Sequence, residues 1–242
     1  MLLVLPPSET KRDGGDAAAL DLGTLSFPEL TPQRRATLAA LARLSRNVAN
    51  SSAALGLGAT QRFEIERNRA LRFAPTMPAI ERYTGVLYEP LTALTGPEAA
   101  FAAQHVAIHS ALFGVLRAGD RIPAYRLSHD SRLPGLSLRR HWRGSVTGVL
   151  EAHPGLVLDL RSESYVALGP AAAASYVRVV SEGATGRRVA LSHFNKHAKG
   201  MFTRAVIAAG IVHDDVDSLL TWAAGAGIRL EPGQPGELAL IV

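Results

Sequence analysis

The chain has 242 residues, is 47% hydrophobic and carries no cysteine, with a formal net charge of +5. That supplies enough apolar mass for a sizeable core and excludes disulfides, thiolate metal sites and cysteine nucleophiles. The longest uncharged helical run, 99–116, holds Gln104, His105, His109 and Ser110 and is too polar for a bilayer; with an opening run too short for a secretory core, a cytoplasmic protein without a membrane partner is expected.

Met1 to Leu5 is an apolar run closed by Pro6-Pro7, the pattern of a buried strand. Thr31-Pro32 opens a helix with proline in its first turn and an apolar stripe at Leu38, Leu41, Ala42 and Leu44. The polar stretch Ser45 to Ser52 breaks that helix. Gly56-Leu57-Gly58 then makes a tight turn, and a charged helix runs from Ala59 to Leu71 until Pro75 and Pro78 end the unit. Further helices are expected over 98–116, 137–151, 196–209 and 214–224, the last with acids in its first turn, where the helix dipole favours them. Strands are expected over 156–160, 176–181, 188–194, 228–231 and 237–242. No repeat, linker or low-complexity segment divides the chain, so the expectation is one compact α+β domain spanning 1–242.

Charge is segregated along this order. Eight arginines face only Glu64 and Glu66 in 31–72, and seven face only Asp120 and Asp130 in 111–145. Arg187, Arg188, Lys196, Lys199 and Arg204 stand without an acid in 185–204, while acids gather in the first 30 residues and around Asp214, Asp215 and Asp217. If the three blocks converge they make a basic cleft sized for a polyanion; if they scatter they are ordinary screened faces.

Only three of the 26 basic residues are lysine: Lys11, Lys196 and Lys199. Where chemistry needs a compact, titratable ammonium, arginine is a poor substitute, so lysines kept in an arginine-rich chain are candidate functional groups. Lys11 follows the first strand beside Ser8. Lys196 and Lys199 lie in His193-Phe194-Asn195-Lys196-His197-Ala198-Lys199-Gly200, at a strand-to-helix junction and three apart on one helix face. A third loop of similar chemistry, Asp159-Leu160-Arg161-Ser162-Glu163-Ser164-Tyr165, also follows an apolar strand, where α/β sites tend to lie; its serines serve equally well as helix caps.

Two further elements suit phosphates. A helix, Gly56-Leu57-Gly58 and a second helix form a hairpin that can lay backbone N–H groups on a phosphate, with Arg62 close behind; such turns also join helices for packing alone. Arg117, Arg121, Tyr125 and Arg126 interleave arginine forks with an aromatic ring, as phosphate pairing and base stacking require, or else form an internally paired loop. His105 and His109, and His193 and His197, are i,i+4 pairs without the glutamate of a zincin motif. No Walker loop, nucleophile elbow or dinucleotide fingerprint is present, so no metal and no cofactor are assigned.

Tyr83-Thr84-Gly85-x-x-Tyr88, Phe113-Gly114-Val115-Leu116-Arg117 with Pro123-x-Tyr125-Arg126-Leu127, Ser162-x-x-Tyr165 and Phe194-x-Lys196-x-x-Lys199-Gly200 occur in that order. Together they resemble the YaaA peroxide-stress protein family over nearly the whole chain. The resemblance implies a single unusual α+β fold, a helix-hairpin-helix element (here Gly56 to Ala59), a positively charged cleft, DNA binding and a role in limiting iron-driven oxidative damage. One motif departs: the family's opening Ser-Pro-Ala-Lys-Thr is replaced by Pro6-Pro7-Ser8-Glu9-Thr10, with Glu9 at the lysine position and Lys11 two residues on. The expected function is therefore largely sequence-independent DNA binding through Gly56, Gly58, Arg62, Arg117, Arg121, Tyr125, Arg126, Arg161, Asn195, Lys196 and Lys199. The alternative is an enzyme acting on a nucleotide or nucleobase, with Lys11, Ser162, Tyr165 and Lys196 catalytic and Ser8, Tyr83 and Tyr88 lining its pocket. Iron sequestration by the scattered histidines is a third, poorer reading.

Overall fold

In the computed structural model, which describes residues 1–182, the backbone of 188–190, and 195–242, the first strand lies in the interior of the main sheet. The strands are β1 (Leu2–Leu5), β2 (Ala17–Ala19), β3 (Pro75–Pro78), β4 (Val106–Ser110), β5 (Gly114–Arg117), β6 (Arg121–Ile122), β7 (Val157–Asp159), β8 (Ser175–Glu182), β9 (Arg188–Ala190), β10 (Leu230–Pro232) and β11 (Glu237–Ile241). The helices are α1 (Thr31–Leu44), α2 (Val48–Leu55), α3 (Phe63–Ala70), α4 (Ala79–Arg82), α5 (Gly96–His105), α6 (Leu138–Glu151), α7 (Glu163–Val166), α8 (Asn195–Ala209) and α9 (Val216–Gly225).

The main sheet runs β10-β11-β8-β7-β1-β4-β5, with β9 continuing along β8, and a small antiparallel sheet runs β2-β3-β6. β4, β1, β7, β8 and β11 are mutually parallel; β5, β9 and β10 are antiparallel to their neighbours. Parallel pairs need long crossovers, so strands and helices interleave: the single compact mixed domain expected as α+β is mixed α/β, with a mostly parallel sheet. Leu2–Leu5 has no polar residue because both faces of β1 are covered, and each of its side chains is at most 1% exposed. One apolar cluster extends from Met1 to Leu240.

Two expectations are corrected. The helix expected over 98–116 ends at His105, and Val106–Ser110 becomes β4, registered Leu3↔Val106 to Leu5↔Ile108 on β1. An uncharged run with Val106, Ile108 and Val115 fits a doubly covered strand as well as a helix, and pairing with β1 decides. Gly114 (φ 66°) then turns the chain into β5 where a Cβ would lie 2.7 Å from the Trp142 ring. The break expected over 45–52 shrinks to three residues: Asn47 Oδ1 caps α2 through Asn50 N–H at 2.9 Å, and Ser51 buries its hydroxyl on the Leu44 carbonyl at 2.8 Å. α1, α6, α8, α9, β1, β7, β8, β10 and β11 fall where expected to within about two residues. Of the strand expected over 188–194, 191–194 lie outside the described residues.

Candidate functional site

The chain leaves β1 for β4 on one side and later returns to β7 on the other. The C-terminal ends of these three parallel strands therefore flank a topological switch point, the place where an α/β sheet opens a crevice. Pro6–Lys11 after β1, Ser110–Phe113 after β4 and Leu160–Tyr165 after β7 lie there.

Lys11 forms a backbone bridge with Tyr83 and turns its ammonium under its own loop. Nζ donates to the carbonyls of Ser8 (3.0 Å) and Glu9 (3.1 Å) and lies 4.2 Å from the centre of the Tyr125 ring. Burial lowers its pKa to about 7; Glu64 and Glu9 act against this, while Arg126 and Arg67 reinforce it. The Tyr83 and Tyr125 hydroxyls are 2.7 Å apart, Ser110 Oγ is 2.6 Å from the latter, and Tyr88 donates to the Pro6 carbonyl at 2.7 Å. Burial pushes Tyr125 up to about 12 and Tyr83, Tyr88 and Tyr165 well above the ordinary phenol range, so all four stay neutral. Gly85 (φ 104°) is needed in Tyr83-Thr84-Gly85 because a Cβ would stand 3.3 Å from Ser8 Oγ.

Glu9 pairs with Arg126 at 2.7 Å. Asn68 of α3 clips the Arg126 backbone, donating to its carbonyl (2.9 Å) and accepting its N–H (2.8 Å). α3 is thus fastened to the strand-end cluster.

On the β7 side Arg161, fully buried, forks onto Asp159 at 2.8 and 2.5 Å and donates to the Gly169 carbonyl and His109 Nδ1, both at 2.9 Å. Because a guanidinium cannot accept, His109 must hold its proton on Nε2; burial and the Arg161 charge keep the ring neutral. Tyr165 packs edge-on to His109 at 5.6 Å and beside His129 at 5.3 Å. Lys199 donates to the Arg161 carbonyl at 3.2 Å and sits 4.8 Å from the Tyr176 ring centre, its pKa lowered by burial to about 8. Gly200 follows because a Cβ there would fall 2.3 Å from the Leu87 carbonyl oxygen.

These strand ends therefore gather Ser8, Lys11, Tyr83, Tyr88, Tyr125, Arg126, Arg161, Tyr165 and Lys199, most of them buried. Ser162 is exposed at the start of α7, Asn195 is half-buried at the start of α8, and Lys196 points outward one turn from Lys199. Arg117 donates to the Gln104 carbonyl and Arg121 pairs with Asp16, so both are engaged within the fold. His105 and His109 sit on different elements and share no helix face; His193 lies outside the described residues. Ser110 and the His109–Arg161 contact were hidden by the helix expected over 98–116; alternating Val106, Ile108 and Ser110 is the signal that would have exposed the strand end.

A second surface lies outside the crevice. α3 packs on α1 and α2; Gln33 and Thr37 of α1 bond Ser145 (2.8 Å) and His141 (3.0 Å) of α6; and Arg132 N–H donates to the Ala54 carbonyl of α2 at 2.9 Å. The helices that carry the first two basic blocks are thus packed against one another. Arg35, Arg43, Arg46, Arg62, Arg72, Arg132, Arg139, Arg140 and Arg143 are exposed on these helices and the turns beside them, with no ion pair among the described residues. Of the third block, Lys199 is internal, Arg204 pairs with Glu98 at 2.8 Å, Lys196 is exposed, and the side chains of 187 and 188 are outside the described residues. Between α2 and α3, Gly56 (φ 63°) ends α2, the Gly56 and Leu57 N–H groups return to Ser52, and half-buried Gln61 Oε1 takes the Gly58 N–H at 3.1 Å.

Lys11 makes a testable contribution to stability. Between about pH 7 and its ordinary 10.5 the unfolded chain holds that proton and the folded chain does not. Stability should therefore rise with pH across the window, by up to about 1.4 kcal/mol per pH unit. Lys199 adds a smaller rise above about pH 8, and the tyrosines reverse the trend above about pH 10, where only the unfolded chain ionises them. Lys11→Met should flatten the rise between pH 7 and 8 in denaturant titrations; an unchanged slope would mean that Lys11 is solvated.

The model of the family described as peroxide stress protein YaaA matches residues 1–227. A UPF0246 protein of Corynebacterium efficiens is 43% identical over 249 positions, covering all of both chains. A UPF0246 protein of Corynebacterium glutamicum is 44% identical with the same coverage. A UPF0246 protein of Streptomyces coelicolor is 40% identical over 98% of this chain and 94% of its own.

Proposed function

The chain belongs to the peroxide stress protein YaaA family, and from that premise we propose that it binds DNA by its phosphates in the cytosol and so limits iron-driven oxidative damage. What supports this most directly is the set of exposed arginines from α1 to α3 and on α6 that make no ion pair among the described residues. Guanidinium forks without acid partners are free to take phosphate oxygens bidentately. Gly56-Leu57-Gly58 lies between α2 and α3 and reads as a helix-hairpin-helix turn, in which a phosphate would replace Gln61 on the Gly58 N–H. The contact is with the backbone of the duplex, because exposed arginines dominate these helices.

Retention on unrelated duplexes of equal length should then be similar, and log Kd should climb linearly with log salt, by about 0.9 per phosphate neutralised. Filter retention or anisotropy from low to moderate salt measures both. No retention of any duplex at low salt would end the reading.

A further inference from the structure

Among the exposed arginines a groove of about 720 Å³ runs between α1, the end of α3 and the segment after β2. Its floor is apolar: Leu20, Leu22 and Leu38 are half-buried and Leu71 is buried. Its rim carries the unpaired Arg35 and Arg72. Beside Arg72 stands Phe73, 83% exposed, the largest exposure of any bulky apolar side chain among the described residues. This ring is not on a loose loop, since the Phe73 and Ala74 N–H groups both donate to the Ala70 carbonyl at 2.8 Å and fix the turn that presents it.

We infer that Phe73 and this groove take an unstacked base of single-stranded or locally opened DNA, while Arg35 and Arg72 hold the phosphates on either side of it. The inference rests on the proposed DNA-binding face and adds the state of the nucleic acid that the face prefers. A phenyl ring fixed in water beside free guanidinium groups has the composition of a stacking platform, where any base offers a π face and the arginines neutralise the backbone. The volume lies within the roughly 300–1,000 Å³ of ordinary ligand sites, with apolar lining and a few polar groups at the mouth. Charge selects the occupant: an apolar peptide gains nothing from Arg35 and Arg72, whereas a nucleotide uses rim and floor together. Glu66 does not neutralise the rim, because it pairs with Arg69 at 2.7 Å.

The test compares oligonucleotides of one length as single strand, as perfect duplex, and as duplex with a central unpaired 2-aminopurine. The full-length protein should bind the single strand and the opened duplex more tightly than the perfect duplex, with the 2-aminopurine fluorescence changing on binding. Phe73→Ala should weaken binding to the two unstacked forms by about 5- to 150-fold, the range for one lost base stack. It should leave perfect-duplex affinity within about twofold and Phe73→Trp should restore the preference. Being exposed, Phe73 can be replaced without unfolding the chain.

If Phe73→Ala leaves single-strand affinity and the fluorescence change intact while duplex binding persists, the groove inference falls and the phosphate-binding face stands. If no form of DNA is retained at low salt, both fall. A concentration-dependent dimer in sedimentation that Phe73→Ala abolishes would give the groove to a second copy of the chain and overturn the inference.

Discussion

Replacing Arg161 with methionine is expected to cost about 3–5 kcal/mol of stability, the usual penalty for stranding one partner of a buried ion pair. Asp159 is 3% exposed and both its oxygens face Arg161, so without the guanidinium it must stay charged in a dry site or take up a proton. His109 Nδ1 and the Gly169 carbonyl lose their donor as well. For a chain of this length the midpoint should fall by roughly 2–4 °C for each kcal/mol. Removing both charges in Asp159→Leu with Arg161→Met should recover most of the loss, because an apolar pair leaves nothing unpaired. A single-substitution loss below about 1 kcal/mol in guanidinium titrations would show that water reaches the pair and that the β7 end of the crevice is open.

The second large effect concerns binding. Changing Arg35, Arg43, Arg62 and Arg139 together to glutamine should reduce the log–log salt slope by up to about 3.6 and weaken duplex binding by roughly tenfold per lost contact at 50 mM salt. These four side chains are exposed and unpaired, so the thermal midpoint should hardly move. Arg117→Gln with Arg121→Gln provides the contrast. Those arginines are tied to the Gln104 carbonyl and to Asp16, so the pair should lose stability and keep the slope. If the fourfold variant retains the full slope, the phosphates lie elsewhere.

Local chemistry that acts within a few residues was readable in the sequence. Thr31-Pro32 opens α1 through proline in its first turn, and α6 and α9 begin close to where expected, at Ser137 and Asp215, whose side chains cap them. The loops after β1 and β7 stood out because polar residues follow apolar runs. β4 was not readable, since its assignment depends on β1, about a hundred residues away in the chain. The same holds for the arginines. Sequence counts Arg34, Arg82, Arg126 and Arg161 among the basic residues, yet all are buried and bound to carbonyls or carboxylates. Which guanidinium groups remain free is a property of the packed helices. Lys196 and Lys199 show the same limit at shorter range: both lie on α8, yet only Lys199 is turned in, onto the Arg161 carbonyl.

The interior place of β1 has a consequence during synthesis. Leu2–Leu5 is synthesised well before the strands on its two edges, β4 at Val106–Ile108 and β7 at Val157–Asp159. At 5–20 residues per second the second edge becomes available only after roughly 8 to 30 s. Over that interval four apolar residues with strong strand propensity have no native neighbour on that side. The nascent chain is then most exposed to holdase chaperones and to self-association, and a variant that slows translation before residue 157 should lower soluble yield without altering the finished fold.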